Sequence, residues 1–359
     1  MQVELPSMNR VVRTVRWSGG LVAALVVATV LAATIGPVAL DAQTVVRAVL
    51  SGIAVPVPQF VDGRLAIAST PLASAPEGST VTIVRSIRLP RIALAAVVGA
   101  ALAAAGTIMQ GLFRNPMADP SIVGVSAGAA VGAVGVIVLP AAIPFGLQTA
   151  AFTGALVTAF GVYLLATRGG RTPVATLLLA GVAVQTLLGA ALSVLLLHAG
   201  HDLERAMYWL MGDLRNATWG EVGVTLAITL FAVAALLPYA RSLNVLLLGE
   251  GDAATLGIPV ERTKRILLAL SAVVTGGAVA VAGVIGFVGL IVPHVMRLLV
   301  GPDHRILLPT STLLGATFLV AADTLARSGP AELPVGIVTA AVGAPFFLAL
   351  LRRREVSDL

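Results

Sequence analysis

The chain has 359 residues, 58% of them hydrophobic and only 11% charged, with a mean hydropathy of +0.99. That balance excludes a soluble globular domain, and apolar runs that recur at roughly 20 residues predict a polytopic helical membrane protein rather than an outer-membrane barrel. The net charge of +6 does not point to nucleic acid, because arginine gathers at the ends of apolar runs where membrane topology accounts for it. With no cysteine, disulfides and thiolate chemistry are excluded, and the single lysine, Lys264, follows Thr263 rather than glycine, so the chain holds no Walker A site.

In chain order, Arg10, Arg13 and Arg16 lead into a charge-free run from Ser18 to Leu40, long enough to cross at about 1.5 Å per residue. The basic flank predicts a cytoplasmic N-terminus. A cleaved signal peptide is the competing reading, given "VALDAQ", but the run exceeds an apolar signal core of roughly 7 to 15 residues. Residues 41–87, rich in Pro, Ser and Ala, read as an outer loop hugging the surface, with room for short helices. Further spans are expected at about 90–111, 121–139, 148–167, 174–197, 219–239, 265–283, 284–300, 306–325 and 333–351. With the first, these make about ten crossings in an all-α transmembrane bundle, a single domain over 1–359. The loops placed inside hold Arg114, Arg168, Arg171, Arg241, Arg262, Lys264, Arg265 and Arg305, and the tail carries Arg352 to Arg354, which predicts a cytoplasmic C-terminus as well. The outer segments hold Arg47, Arg64, Arg85, Arg88, Arg91, Arg205, Arg215 and Arg327, and the cluster around Arg88 runs against the expected sidedness.

Four stretches stand out. "GLFRNPMADPSIVGVSAGAAVGAVG" (111–135) places Asp119 as an N-cap and Pro120 at N1, behind a tight Asn115-Pro116 turn. Gly124 to Gly128 also spells G-x-S-x-G, with His294 as an imaginable base; that motif requires a strand-turn-helix context which an apolar membrane helix lacks, and close packing of small residues accounts for the glycines. In "RSIRLPR", Arg85, Arg88 and Arg91 crowd the outer mouth of the second span, either as forks for a partner's carboxylates or as side chains snorkelling to lipid phosphate. Asp323 and Arg327 stand four apart on one helix face and are placed to pair. His198 and His201 are three apart near the outer face, a spacing that can ligate iron, although an interfacial belt with Tyr208 and Trp209 is the plainer account. Finally, "LLLGEGDAATLGIPVERTKR" (246–265) reads like soluble protein inserted between spans: Gly249 opens a short helix with Glu250 and Asp252 in its first turn, Gly257 closes it and Pro259 follows. Barely two turns long, it needs a surface to lie on. Leu248, Ala253, Leu256 and Ile258 form an apolar set for a groove in another protein, or for the chain's own bundle.

Together with "RLPR...GAALAAAGTIMQGLFRNPMADPSIVGVSAGA", "VAGVIGFVGLIVPHVMRLLVGPDHRILLP" and "AELPVGIVTAAVGAPFFLALL", this stretch resembles the permease subunits of type II ABC importers, the FecCD-like permeases for iron-siderophores, haem and cobalamin. The resemblance runs from about Arg88 to Arg352. It implies a homodimer of ten-span chains in a bacterial cytoplasmic membrane, with a translocation path on the two-fold axis. Two separate ATPase subunits would bind ATP and Mg inside, a periplasmic binding protein would dock outside, and this chain would be no enzyme and hold no cofactor or metal. Within the cytoplasmic segment 241–262, it implies ATPase coupling through Leu248, Gly249, Glu250, Gly251, Asp252, Ala253, Ala254, Leu256, Gly257, Ile258 and Pro259. It implies cytoplasmic gates at Asn115 and Met117 and at Thr172 and Pro173, where proline stands in place of the small hydroxyl residue that relatives can carry. Arg88, Arg91 and Arg327 match positions that receive acidic residues of the binding protein. For cargo, "RGGRTPVATLLLAGVAV" and "VGPDHRILLP" look most like haem permeases, with His198 and His201 as a possible haem contact; ferric siderophore and cobalamin are the alternatives. An ion-coupled secondary transporter is the rival of another class. Such proteins place ionisable groups near mid-membrane, whereas here the predicted spans are nearly free of charge, with Asp323 the best candidate.

Overall fold

The computed structural model describes residues 10–61, 64–76, 78–139, 146–329 and 331–353, so Arg354 of the basic tail lies outside the described residues. The chain enters through α1 (Arg10–Thr34) and α2 (Ala42–Leu50), then an antiparallel hairpin of β1 (Ala54–Val61) and β2 (Arg64–Pro71). A single turn, α3 (Thr80–Thr82), and a wider π-helical turn (Ile83–Arg88) run straight into α4 (Leu89–Leu112). The remaining helices are α5 (Val125–Val138), α6 (Gly146–Ala166), α7 (Val174–Leu197), α8 (Leu203–Leu210), α9 (Trp219–Leu236), α10 (Ala240–Leu246), α11 (Glu250–Thr255), α12 (Val260–Ala282), α13 (Val288–Val300), α14 (His304–Ala326) and α15 (Val335–Arg353).

Two expectations change. The segment 41–87 is not only loop and helix: its hairpin makes the fold helical with one β excursion. Pro56 and Pro58 are tolerated there because they alternate, so both missing N–H groups fall on the same edge. Asp62-Gly63 between the two runs was the sequence signal for such a hairpin. Second, the span expected over 284–300 is interrupted. Phe287 takes a left-handed φ of 69° and α13 begins only at Val288, so its 13 residues reach about 20 Å, short of the roughly 30 Å apolar layer. Among the described residues, seven helical segments are long and apolar enough to cross a membrane, and three shorter apolar ones accompany them: Val125–Val138, Val288–Val300 and Val335–Leu350.

The bundle is built around α4. This helix is apolar on every side and rich in Ala and Gly, which makes it a core rather than a surface element. It packs against α14, α12, α13 and α9. Small residues set the spacing: a Cβ on Gly99 would stand 2.2 Å from the carbonyl oxygen of Gly315, so α4 and α14 touch backbone to backbone. Gly128, inside the G-x-S-x-G stretch, does the same. A Cβ on Gly128 would meet the Gly154 carbonyl at 2.3 Å, which ties α5 to α6 and leaves this stretch a packing seam with no strand leading into it. Gly128→Leu is therefore expected to cost at least ~1–3 kcal/mol of overpacking and to abolish a monodisperse peak after detergent extraction, with a wild-type elution profile as the refuting result.

Candidate functional site

The loops that sequence assigned to the inside converge on one end of the bundle. Arg13 donates to the Val300 carbonyl at 2.9 Å and Arg10 approaches Asp303 at 3.6 Å, which brings the start of α1 to the turn between α13 and α14. Asp303 caps α14 through the Arg305 N–H and accepts from the Asn244 side chain of α10 at 2.7 Å. Burial pushes the Asp303 carboxyl up, but these hydrogen bonds and the charges of Arg305 and Arg10 win and hold it below its ordinary value. Asn244 also accepts from the His304 N–H at 2.9 Å. The result is a rigid base from which α10 hands the chain to α11.

The helix expected at 249–257 is present as α11, with both predicted ends. Gly249 adopts φ 127° before it, and Gly257, at φ 83°, closes it with paired bonds: Ile258 N–H to Ala253 O and Gly257 N–H to Ala254 O, each 3.0 Å. This double closure is the Schellman arrangement, which only a left-handed residue at the closing position allows cheaply. The apolar set does not act as one face, however. Ala253 is fully buried on the bundle and Ile258 packs partly beneath, while Leu248 and Leu256 stand 64% and 63% exposed. One side of the short helix thus packs on the chain's own bundle, and the two leucines stay exposed.

Sequence reasoning missed what ties this helix down. Lys264, in the first turns of α12, is 4% exposed and forms ion pairs with Glu250 of α11 at 3.0 Å and Glu261 at 2.8 Å. Its third partner is the carbonyl of Thr172 at 2.7 Å, in the turn between α6 and α7. The Thr172 N–H in turn donates to Glu261 at 3.1 Å. That turn is a tight reversal in which Arg168 and Arg171 bond each other across Gly169 and Gly170, both at positive φ. Only the Glu261-to-Lys264 spacing was a legible signal for this cluster.

The two turns expected to serve as gates sit at this same end but are held differently. Asn115 is exposed and its side chain accepts from the Met117 N–H at 2.9 Å, so this turn closes on itself, whereas Thr172 is buried and fastened to its neighbours, with Pro173 exposed beside it. A side chain on Gly249 would stand 3.7 Å from the Arg114 guanidinium, which places α11 beside the first turn as well as the second.

At the opposite end the arginine expectation needs correction. Arg88, Arg91 and Arg327 are buried, and none offers a free fork outward. Arg88 donates to the carbonyls of Ala33 and Val38, and Arg327 to those of Ala32 and Ile35; Ala32 and Ala33 lie in the last turn of α1, whose acceptors lack helical partners, and the other two just beyond it. Arg91 binds Asp323 at 2.9 Å and Glu332 at 2.9 Å, and Arg327 approaches Asp323 at 3.4 Å. The predicted pairing of Asp323 with Arg327 is present, and the three arginines clamp α1, α4 and α14 together. Trp219 donates from its indole to the Arg85 carbonyl at 3.0 Å, which adds α9 to this end.

The histidine pair also differs from expectation. α7 stops at Leu197, and Gly200 at φ 49° turns the chain before His201, so the two rings do not share a helix face. The Nδ1 of His198 is engaged with the Val194 carbonyl at 2.8 Å. Both residues are exposed, and among the described residues no group of three or more metal-ligating side chains is assembled.

The sequence profile of the FecCD transport family matches residues 21–353. The cobalamin import system permease protein BtuC of Halobacterium salinarum is 55% identical, over 97% of this chain and 98% of its own length. The hemin transport system permease protein HmuU of Yersinia pestis is 47% identical over 75% of this chain and 83% of its own. The Fe(3+) dicitrate transport system permease protein FecD of Escherichia coli is 40% identical over 76% and 85%. Among solved structures, an inward-facing conformation described as a metal-chelate type ABC transporter superposes with a TM-score of 0.77 at 31% identity, covering 94% of this chain and 99% of that one.

Proposed function

Because this chain belongs to the FecCD transport family, we propose that it is the membrane permease of an ATP-driven importer whose cargo is a cobalamin. The observation that carries the cargo is the end-to-end likeness, at 55% identity, to a cobalamin permease; the haem permease is less alike and matches three quarters of the chain. The sequence preference for haem gives way accordingly, and the separated, exposed histidines lend it no support.

In this reading two copies form the path. Support comes from α7, which buries only 11% of its apolar length within its own chain and so keeps a long face for a second copy or lipid. A separate ATPase grips Leu248 and Leu256 on α11, and its nucleotide-driven closure moves the gate turns as rigid bodies. With Arg88, Arg91 and Arg327 engaged internally, docking of an outer binding protein falls to exposed side chains at that end such as Arg47 and Arg205. The ion-coupled alternative loses its best candidate, because the oxygens of Asp323 are held by Arg91 and Arg327.

The test is uptake into proteoliposomes loaded with the permease and its ATPase, with binding protein supplied outside. Cyanocobalamin should accumulate only with ATP and ignore an imposed proton gradient, and haem should compete weakly. Haem uptake exceeding cobalamin uptake would replace the cargo; uptake on an ion gradient alone would reject the ATP-driven reading.

A further inference from the structure

Lys264 is the only lysine in the chain, yet it does not face water. Its ammonium has three donors and meets three acceptor groups from three places: Glu250 on α11, Glu261 on α12 and the Thr172 carbonyl in the α6–α7 turn. The Thr172 peptide is held from both sides, its N–H by the Glu261 carboxylate and its carbonyl by Lys264. Thr172 Oγ1 is also 2.9 Å from Thr167 Oγ1 at the end of α6, so the turn has little freedom to move apart from this cluster. Burying an ammonium is costly, and a well-packed apolar side chain would hold a static α11 as well or better. What an apolar side chain lacks is a directional grip on one carbonyl and two carboxylates at once.

We propose that Lys264 is a positioning residue that fastens the partner-gripped helix α11 to the Thr172–Pro173 turn, so that a displacement imposed on α11 is delivered to that gate. This rests on the importer reading above. Pro173 follows directly and starts α7, which makes the segment receiving the push stiff rather than compliant. The two carboxylates keep some contact with solvent, at 37% and 29% exposure, so the cluster can be loaded from the α11 side without unburying the ammonium.

The experiment measures ATP hydrolysis and cyanocobalamin uptake in the same vesicles for wild type, Lys264→Met, Lys264→Arg and the near-isosteric Glu261→Gln. Lys264→Met should retain bound ATPase and hydrolyse ATP within about twofold of wild type, while uptake per ATP falls about tenfold. Glu261→Gln, which keeps the shape of the cluster, should fall in the same direction by a few-fold at an unchanged thermal midpoint. Lys264→Arg should restore at least half of the uptake per ATP. Uptake per ATP unchanged in Lys264→Met and Glu261→Gln would overturn the proposal, as would uptake and hydrolysis falling in proportion with loss of the ATPase. Wild type importing without ATPase would instead be the failure of the importer reading, and the two results are separable in one series.

Discussion

The double substitution Leu248→Asp, Leu256→Asp is expected to abolish uptake while leaving the permease folded. Both side chains are largely exposed and flank the short capped helix, so their removal opens no cavity in the bundle. Buried in a partner cleft, each leucine contributes ~1.5–3 kcal/mol, and an aspartate in its place adds the cost of desolvating a carboxylate. Together these amount to at least ~4 kcal/mol, roughly a thousandfold weaker ATPase binding. Affinity co-purification of the ATPase and the thermal midpoint of the isolated permease are the two measurements. Normal co-purification with normal uptake removes α11 as the docking element; a collapsed midpoint shows instead that the leucines serve the bundle. Ile258→Asp is the contrasting variant, since Ile258 packs against the core and its replacement is expected to lower the midpoint too.

Asp323→Ala is expected to destabilise the fold by ~3–5 kcal/mol, the usual cost of stripping one partner from a buried ion pair. Asp323 is fully buried and faces two buried guanidiniums, Arg91 and Arg327, the second of which also holds the end of α1. Glu332 reaches Arg91 but not Arg327, so it compensates only half of the loss. The expected result is a marked fall in thermal midpoint in detergent, with α1 protease-sensitive at its outer end. Asp323→Asn, which preserves shape and one accepting oxygen, should fall between. A wild-type midpoint for Asp323→Ala would mean that lipid or water satisfies both arginines, and would return them to the role of outward forks.

Much of the α11 end was legible because its signals are local. Gly249, Glu250, Asp252, Gly257 and Pro259 encode the start and stop of α11 within eleven residues, and the structure uses each where helix-end chemistry requires it. The arginine cluster shows the opposite case. Arg88, Arg91 and Arg327 are conspicuous on the outer side of a membrane chain, but apart from the Asp323–Arg327 pair, four residues apart, their partners are carbonyls in and just after α1 and acids of the α14 region, 50 to nearly 300 residues away. No spacing rule reaches that far, so clamp and docking fork look alike in sequence.

Hydropathy and residue type by themselves determined that this chain lives in a membrane as a helical bundle, without a Walker A lysine, with most of its basic loops sorted to one end and a capped helix between two spans. Those properties follow from composition and from interactions within a turn or two of helix. The tertiary structure decided which leucines stay exposed beside α11, that the lone lysine turns inward to join three segments, that three arginines are consumed inside the fold, and that the 284–300 run breaks into an extended turn and a helix too short to cross. Burial and long-range pairing belong to the arrangement of helices, and an apolar run reads the same whether it meets lipid, a neighbouring helix or a second copy of itself.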